Sequence, residues 1–296
     1  MFTGLSAFPL TPLQDGRIDE DAFVRLVERL AMADVDSICV LGSTGNYAYL
    51  ERSERRRVTE LAVASAGEVP LMVGISSLRT AGVLALAEDA QRAGAGAVLL
   101  APMSYQPLTA DEVFGLYRDV TRVLSVPLVV YDNPGTTRFA FSDELHAEIA
   151  QLPNVRSIKI PPVSGDLALA RERIEPLRAL LPAQVSLGIS GDATAVAGLL
   201  GGCDAWYSAL GGLFPEVLVR ITRAAQARDA SSAVQMSERL EPIWELFRQH
   251  GSLRVVATAA ELLGHVQQPC LPDPLKALQG EQRQRLALAL EDLRLT

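Results

Sequence analysis

The stretch LMVGISSLRTAGVLALAEDAQRAGAGAVLLA, residues 71–101, contains one complete strand-helix-strand repeat. It opens on the apolar run Leu71–Gly74, continues through Thr80–Ala93 with the apolar periodicity of a helix, and ends on a second apolar run, Ala97–Ala101. Short apolar runs that alternate with longer helical segments are typical of βα units. The stretch therefore predicts a parallel sheet covered by helices.

The same alternation extends through most of the chain. We identify eight strand candidates, at Gly4–Phe8, Ser37–Leu41, Leu71–Gly74, Ala97–Ala101, Leu128–Tyr131, Ser157–Ile160, Val185–Gly188 and Ala205–Ser208. A segment of helical periodicity follows each of them. The uninterrupted alternation favours an α/β fold of the (β/α)8 TIM barrel type, because a closed ring leaves no edge strand exposed. An open doubly wound sheet is the alternative.

The end of the chain departs from this repeat. We predict that residues 1–227 form the barrel and that residues 228–296 form a C-terminal helical extension. Its predicted helices lie near Ser231–Gln249, Leu253–His265 and Glu281–Leu293. Gly251 and the proline-rich turn Pro269–Pro274 separate them, and glycine and proline commonly end helices.

Composition and charge exclude several classes of protein. Among the 296 residues 49% are hydrophobic and 21% are charged, which predicts a compact fold rather than a disordered chain. The net charge is −8, and the short basic cluster Arg55–Arg57 falls inside a helical pattern, so we expect no nucleic-acid partner. We see neither a signal-peptide pattern nor a long apolar stretch, and we expect a cytoplasmic protein with no membrane partner.

Cysteine and histidine spacing gives no metal or disulfide pattern. No Cys-x-x-Cys or His-x3-His pair occurs among Cys39, Cys203, Cys270, His146, His250 and His265. We therefore predict neither a disulfide framework nor a zinc site.

Polar residues at the C-terminal ends of the predicted strands are candidates for the active site, because barrel enzymes place their reacting groups there. They are Ser43, Thr44 and Asn46 after the second strand, Tyr131, Asp132 and Asn133 at the end of the fifth, Lys159 at the end of the sixth, and Asp192 after the seventh. We interpret Asp132 and Asn133 as turn residues before Pro134.

Lysine is rare in this chain. Of the 27 basic residues only Lys159 and Lys276 are lysines, so arginine meets the ordinary need for positive charge. Arginine keeps its proton in proteins, whereas a desolvated lysine can lose its proton and attack a carbonyl group. Lys159 is therefore a candidate nucleophile. The alternatives are a lysine that reaches solvent from the strand end, or one that pairs with a carboxylate.

Two further features suit the same chemistry. The phenol of Tyr131, at the end of the neighbouring strand, is both donor and acceptor and can move protons, although its ring can also simply plug the barrel. The turn Gly42–Gly45 offers backbone N–H groups and two hydroxyls to a small carboxylate, with an ordinary glycine turn as the alternative. Gly188–Gly191 and Gly211–Gly212 offer an alternative site, for a phosphate.

Four pieces of sequence together resemble one known family. They are Gly42–Gly45, Tyr131-x-x-Pro134, Ile158-Lys159 and Ser190-Gly191-Asp192, and Phe8–Pro12 looks like the family's opening strand. In order and spacing, over roughly residues 2 to 225, they resemble the dihydrodipicolinate synthase/N-acetylneuraminate lyase family.

The resemblance implies a homotetrameric lyase of the class I aldolase type, acting on pyruvate and an aldehyde. It implies that Lys159 forms an imine and that Tyr131 relays protons. No metal or organic cofactor is expected, because the lysine itself supplies the electron sink. The other implied site residues are Ser43, Thr44 and Gly45 at the carboxylate, Thr136 and Arg138 near the second substrate, Gly191 in the pocket wall, and Trp206 near the imine or as barrel filling.

The chain also departs from the family pattern. Asn46 and Ile160 stand where acids are usual, Thr136 stands where the synthases have an arginine, and Ser104 stands where a relay tyrosine is expected, with Tyr105 beside it. These departures argue against a role in lysine biosynthesis. They leave two alternatives open, a 2-oxo sugar-acid dehydratase and a catalytically inactive barrel that binds a 2-oxo acid as a regulator.

Overall fold

The computed structural model describes residues 2–295, and eight parallel strands in it close into a barrel. The barrel strands are β1 Gly4–Ala7, β2 Ser37–Val40, β3 Leu71–Gly74, β4 Ala97–Leu100, β5 Leu128–Tyr131, β6 Val155–Ile160, β7 Ser186–Ile189 and β8 Ala205–Ser208. Each strand pairs with the next, and β8 pairs with β1. The predicted closed barrel is confirmed, and the open sheet is wrong.

Helices follow the strands and cover the outside of the barrel. They are α1 Glu20–Met32, α2 Arg52–Ser65, α3 Thr80–Ala93, α4 Ala110–Thr121, α5 Asp143–Ala150, α6 Leu167–Leu180, α7 Ala195–Leu200 and α8 Pro215–Gln226. Among residues 2–295, no helix is long and apolar enough to cross a membrane. A small hairpin of Leu13–Gln14 with Arg17–Ile18, turning at Asp15 and Gly16, was not predicted.

Side chains of the strands alternate between two cores. Those that point inward, including Cys39, Met72, Leu99 and Val129, form a small cluster inside the barrel. Their neighbours along each strand belong to the larger core between strands and helices. Because nearly all strand positions are buried on both faces, most strand residues are apolar and show no regular alternation with polar ones.

The C-terminal extension forms four helices, α9 Ala230–Glu238, α10 Glu241–His250, α11 Ser252–Leu262 and α12 Gly280–Leu293. The prediction of one helix over Ser231–Gln249 is wrong, because the chain breaks near Leu240. Pro242 lies in the first turn of α10, where its missing N–H costs no hydrogen bond, whereas a helix interior would lose one. Helix α10 packs against the turn Asp192–Thr194 that follows β7, so the extension reaches the C-terminal end of the barrel.

Candidate active site

A cavity of about 830 Å³ opens at the C-terminal ends of the strands. Its inner part is formed by the barrel: Phe8, Tyr131, Lys159 and Tyr207 are buried there, and Ser43 is half-buried. Its outer part is more exposed and is formed by loops and by the extension, with Tyr49, Met103, Thr136, Phe247, Arg248 and Leu253 in its wall. The two parts are built by different regions of the chain.

Lys159 lies at the end of β6 and is only 4% exposed. Its Nζ lies 4.0 Å from the ring centroid of Phe8, 4.0 Å from that of Tyr131 and 5.6 Å from that of Tyr207. Burial among these rings lowers the pKa of the amine to about 8, although Cys39 and Asp192 oppose the shift. A useful fraction of Lys159 is therefore neutral, and nucleophilic, near neutral pH.

Tyr131 lies directly beside Lys159, because the two residues are register partners on β5 and β6. Its hydroxyl lies 3.4 Å from Ser43 Oγ and accepts a hydrogen bond of 2.9 Å from the side-chain amide of Asn133. Burial raises the pKa of the phenol to about 12, so it carries its proton at neutral pH. Asn133, interpreted from the sequence as a turn residue, also orients this hydroxyl.

The turn after β2 brings Ser43 and Thr44 into the cavity wall. Gly45 lies behind them, and its N–H donates to the Gly42 carbonyl at 3.0 Å. An added Cβ at Gly45 would lie 2.8 Å from the Leu41 backbone nitrogen. Gly45 therefore shapes the turn and does not line the cavity, which corrects its predicted contact with the carboxylate.

Asn46 explains one departure from the family pattern. Its backbone has a positive φ of 58°, a conformation that asparagine tolerates better than most residues. Its side-chain amide donates to the Thr11 carbonyl at 3.0 Å and ties the turn after β2 to the loop after β1. A carboxylate at this position would have no proton to donate to that carbonyl.

The structure separates the remaining predicted residues. Thr136 and Gly191 line the cavity, whereas Arg138 is exposed and lies outside its wall.

Ile160 points into the core between strands and helices, so the missing acid there leaves the cavity unchanged. Tyr105 is 81% exposed and also lies outside the cavity. Ser104 donates to the Gln106 carbonyl in the same loop.

The predicted place of Trp206 near the imine is wrong. Trp206 belongs to the core outside the barrel, and its neighbour Tyr207 points inward. The indole Nε1 donates to Asp192 Oδ1 at 2.8 Å, while the Leu210 N–H donates to Oδ2 at 2.8 Å. Trp206 therefore acts indirectly, by holding a carboxyl group that lines the cavity.

Asp192 is an acidic residue of the cavity wall and is only 4% exposed. Burial raises the pKa of its carboxyl group, and the hydrogen bonds from Leu210 and Trp206 oppose that shift. Its charge also favours the protonated form of Lys159.

Tyr207 is a site residue that the sequence did not reveal. Its ring packs edge-on against Phe8, with centroids 6.0 Å apart, and its hydroxyl lies 2.6 Å from Ser157 Oγ. Ser157 in turn accepts a hydrogen bond of 2.8 Å from Ser186 Oγ. Room for the ring comes from Gly188, where an added Cβ would lie 2.2 Å from Tyr207 Cε2. These contacts fix the ring beneath Lys159.

Gly188 and Gly191 thus have packing roles. An added Cβ at Gly191 would lie 2.4 Å from the Pro162 ring. These close neighbours account for glycine at both positions, so a bound phosphate, the alternative left open by the sequence, is not needed to explain them.

Comparison with known proteins gives one consistent family. A sequence model described as the dihydrodipicolinate synthetase family matches residues 1–293. The solved dihydrodipicolinate synthase from Agrobacterium tumefaciens is 44% identical, with a TM-score of 0.94 over 99% of this chain and 98% of that one.

Among curated proteins, a 4-hydroxy-tetrahydrodipicolinate synthase from Phenylobacterium zucineum is 32% identical over 81% of this chain and 80% of that protein. One of the same name from Rhodospirillum centenum is 30% identical over 89% of each chain. The order of the barrel strands, the position of Lys159 beside Tyr131 and the whole-chain family match lead to the same conclusion. This chain belongs to the dihydrodipicolinate synthetase family.

Proposed function

We propose that this protein is a lyase of the class I aldolase type, which joins pyruvate to an aldehyde, or cleaves the product, through an imine on Lys159. The observation that carries the proposal is the environment of the Lys159 amine. The amine is buried among aromatic rings, its pKa is lowered to about 8, and the protonated hydroxyl of Tyr131 is on the neighbouring strand.

The chemistry follows from these two groups. The neutral amine adds to the carbonyl carbon of pyruvate, Tyr131 protonates the departing hydroxyl group, and water leaves to give a protonated imine. Loss of a proton from the methyl carbon gives an enamine, whose carbon attacks the aldehyde. The new alkoxide takes up a proton, and hydrolysis of the imine releases the product and the lysine. The protonated imine is the electron sink, so the reaction needs no further cofactor.

The turn after β2 supports the choice of a 2-oxo acid. Ser43 and Thr44 line the cavity on the same side as the Tyr131 hydroxyl, which lies 3.4 Å from Ser43 Oγ. Hydroxyl groups at this place bind the carboxylate of pyruvate and orient its carbonyl carbon toward Lys159. Ser43 also connects Tyr131 to the substrate for proton transfer.

Trapping with borohydride tests the proposal. Reduction in the presence of pyruvate should add one pyruvate-derived group to the intact protein, located on the peptide that contains Lys159. The change Lys159→Arg should abolish the adduct, and Lys276→Arg, at the other lysine, is the matched control that should retain it. An adduct that persists in Lys159→Arg would refute the imine assignment. Release of free pyruvate from a 2-oxo acid product would separate an aldolase from a dehydratase.

We also propose a cytoplasmic homotetramer, as the family resemblance implies. Such an assembly would have room to cover exposed apolar side chains, of which Leu78 and Tyr105 are examples. Sedimentation velocity of the purified protein tests the assembly, and a monomer at micromolar concentration would contradict it.

A further inference from the structure

The outer part of the cavity offers more room than pyruvate needs. Pyruvate has three carbons, and the inner residues Ser43, Tyr131 and Lys159 account for its groups in the proposed reaction. The full cavity measures about 830 Å³, within the range of sites for ligands much larger than pyruvate. The rest of the space belongs to the aldehyde partner.

The charges on the cavity wall are few. Within the part of the chain that the structure describes, Lys159 and Arg248 are the only lysine or arginine side chains that line it. Arg138, the arginine that the sequence placed near the second substrate, lies outside. Once Lys159 is bonded to pyruvate, Arg248 is the cationic side chain left to contact the aldehyde.

Arg248 lies in the last turn of α10, the helix that packs against the turn Asp192–Thr194. Phe247 and Leu253 flank it in the cavity wall. Its guanidinium is paired with Glu241 on the same helix, and the two side chains are 53% and 58% exposed. An ion pair between exposed side chains is weak, so a substrate anion can replace the carboxylate of Glu241.

We infer that Arg248 binds an anionic group, a carboxylate or a phosphate, at the far end of the aldehyde, so that the aldehyde substrate of this protein is an acid. The inference rests on the proposed function. A guanidinium binds either group through paired N–H donors. The chain as a whole carries a net charge of −8, so a local cation at the mouth also offsets the repulsion that an anionic aldehyde meets.

The test compares aldehydes that differ in the anion. The pairs are glyceraldehyde 3-phosphate with glyceraldehyde, and succinate semialdehyde with butanal, each with saturating pyruvate. The measured quantity is the ratio of kcat/KM for the anionic aldehyde to that for its neutral partner. The pair with the larger ratio in the unmodified protein identifies the anion as phosphate or carboxylate.

Three variants decide the role of Arg248. Arg248→Gln should lower the ratio roughly ten- to hundred-fold, the usual effect of losing a charged hydrogen bond. Glu241→Gln should raise the ratio a few-fold, because it removes the competing carboxylate. Arg239→Gln, at an exposed arginine of the same extension that lies outside the cavity wall, is the control and should leave the ratio unchanged.

Trapping of pyruvate on Lys159 should be unchanged in Arg248→Gln. Failure of trapping in the unmodified protein would refute the proposed function itself. With trapping intact, three results would each overturn the inference: no preference for an anionic aldehyde, an equal fall for neutral and anionic aldehydes in Arg248→Gln, or loss of the preference in Arg138→Gln instead.

Discussion

The inner and outer parts of the cavity differ in how they are held. In the inner part, strand register sets Lys159 beside Tyr131, and Tyr207 is fixed by a ring contact and a hydrogen bond. In the outer part, exposed side chains such as Tyr49 and Arg248 come from a loop and from the extension. In the proposed function, the barrel therefore fixes the reacting groups, and the more exposed segments contact the aldehyde. Substitutions in the two parts should have separable effects.

Among changes that leave the Lys159 amine in place, the largest effect is expected from Tyr131→Phe, which keeps the ring beside Lys159 but removes the hydroxyl. Loss of a proton-transfer group should lower kcat by about 10²- to 10⁴-fold. Borohydride trapping, after long incubation with pyruvate, should still label Lys159, because the amine remains. Steady-state kinetics and peptide mass measure the two quantities. Unchanged turnover would remove Tyr131 from the mechanism.

Lys159→Met should stabilise the protein while abolishing turnover. Burial lowers the pKa of Lys159 from 10.5 to about 8, so the folded protein holds the charged amine less favourably than the unfolded chain does. This lowers the free energy of unfolding by its full amount below pH 8. The loss becomes smaller as the pH rises toward 10.5. Each unit of pKa corresponds to about 1.4 kcal/mol, so the expected gain near pH 7 is about 3 kcal/mol. The gain should vanish above pH 10.5.

Urea unfolding of the unmodified protein and of Lys159→Met, at pH 6.5 and at pH 10.5, measures the difference in their free energies of unfolding. The exposed Lys276→Met is the matched control and should show no such gain. A gain of equal size at the two pH values would mean that packing, and not the charge, limits the stability of the inner part.

Gly188→Ala should destabilise the inner part without touching a reacting group. The new Cβ would lie 2.2 Å from Tyr207 Cε2, and forced overpacking of a core costs about 1 to 3 kcal/mol. Gly115→Ala in α4 is the control, because its Cβ would meet only an arginine side chain at 4.0 Å, and it should stabilise slightly. The midpoints of urea unfolding measure the change in stability of each variant. A rescue of Gly188→Ala by Tyr207→Leu would identify the ring as the obstacle.

The smallest effect is expected in the outer part. Met103→Ala should change KM for the aldehyde a few-fold, because Met103 lines the cavity in the loop after β4. The rate of pyruvate trapping should stay the same. A slower rate of pyruvate trapping in Met103→Ala would contradict the division of the cavity into two parts.

The barrel strands were predicted well from the sequence, because each one is a short apolar run that can be recognised without knowing its neighbours in the fold. Strands β3, β5 and β8 were predicted with their observed ends, and the others within two residues. The hairpin around Asp15 and Gly16 was missed because its strands are two residues long, although an Asp-Gly pair is a known turn signal.

Two features were harder to predict from the sequence: which strand residues point into the barrel, and how segments far apart in the chain pack together. The family resemblance placed Trp206 near the imine or as barrel filling, and Tyr207 was not identified. Both faces of β8 are buried, so periodicity does not show which of its residues point inward. A shift of one residue then reverses every side chain of the strand. The position of Arg248 in the cavity wall was not predicted, because it depends on how the extension packs against the turn after β7, which no local pattern encodes.

The contact between Gly188 and Tyr207 also limits the order in which this protein can evolve. A side chain at position 188 fits without a clash only after the ring at position 207 has been replaced by something smaller. A mutational path that enlarges position 188 first passes through an overpacked intermediate, whereas the reverse order passes through one with a cavity, which neighbouring side chains can partly fill. In relatives, an aromatic residue at 207 should therefore occur together with glycine at 188, and that pair can be sought in sequences alone.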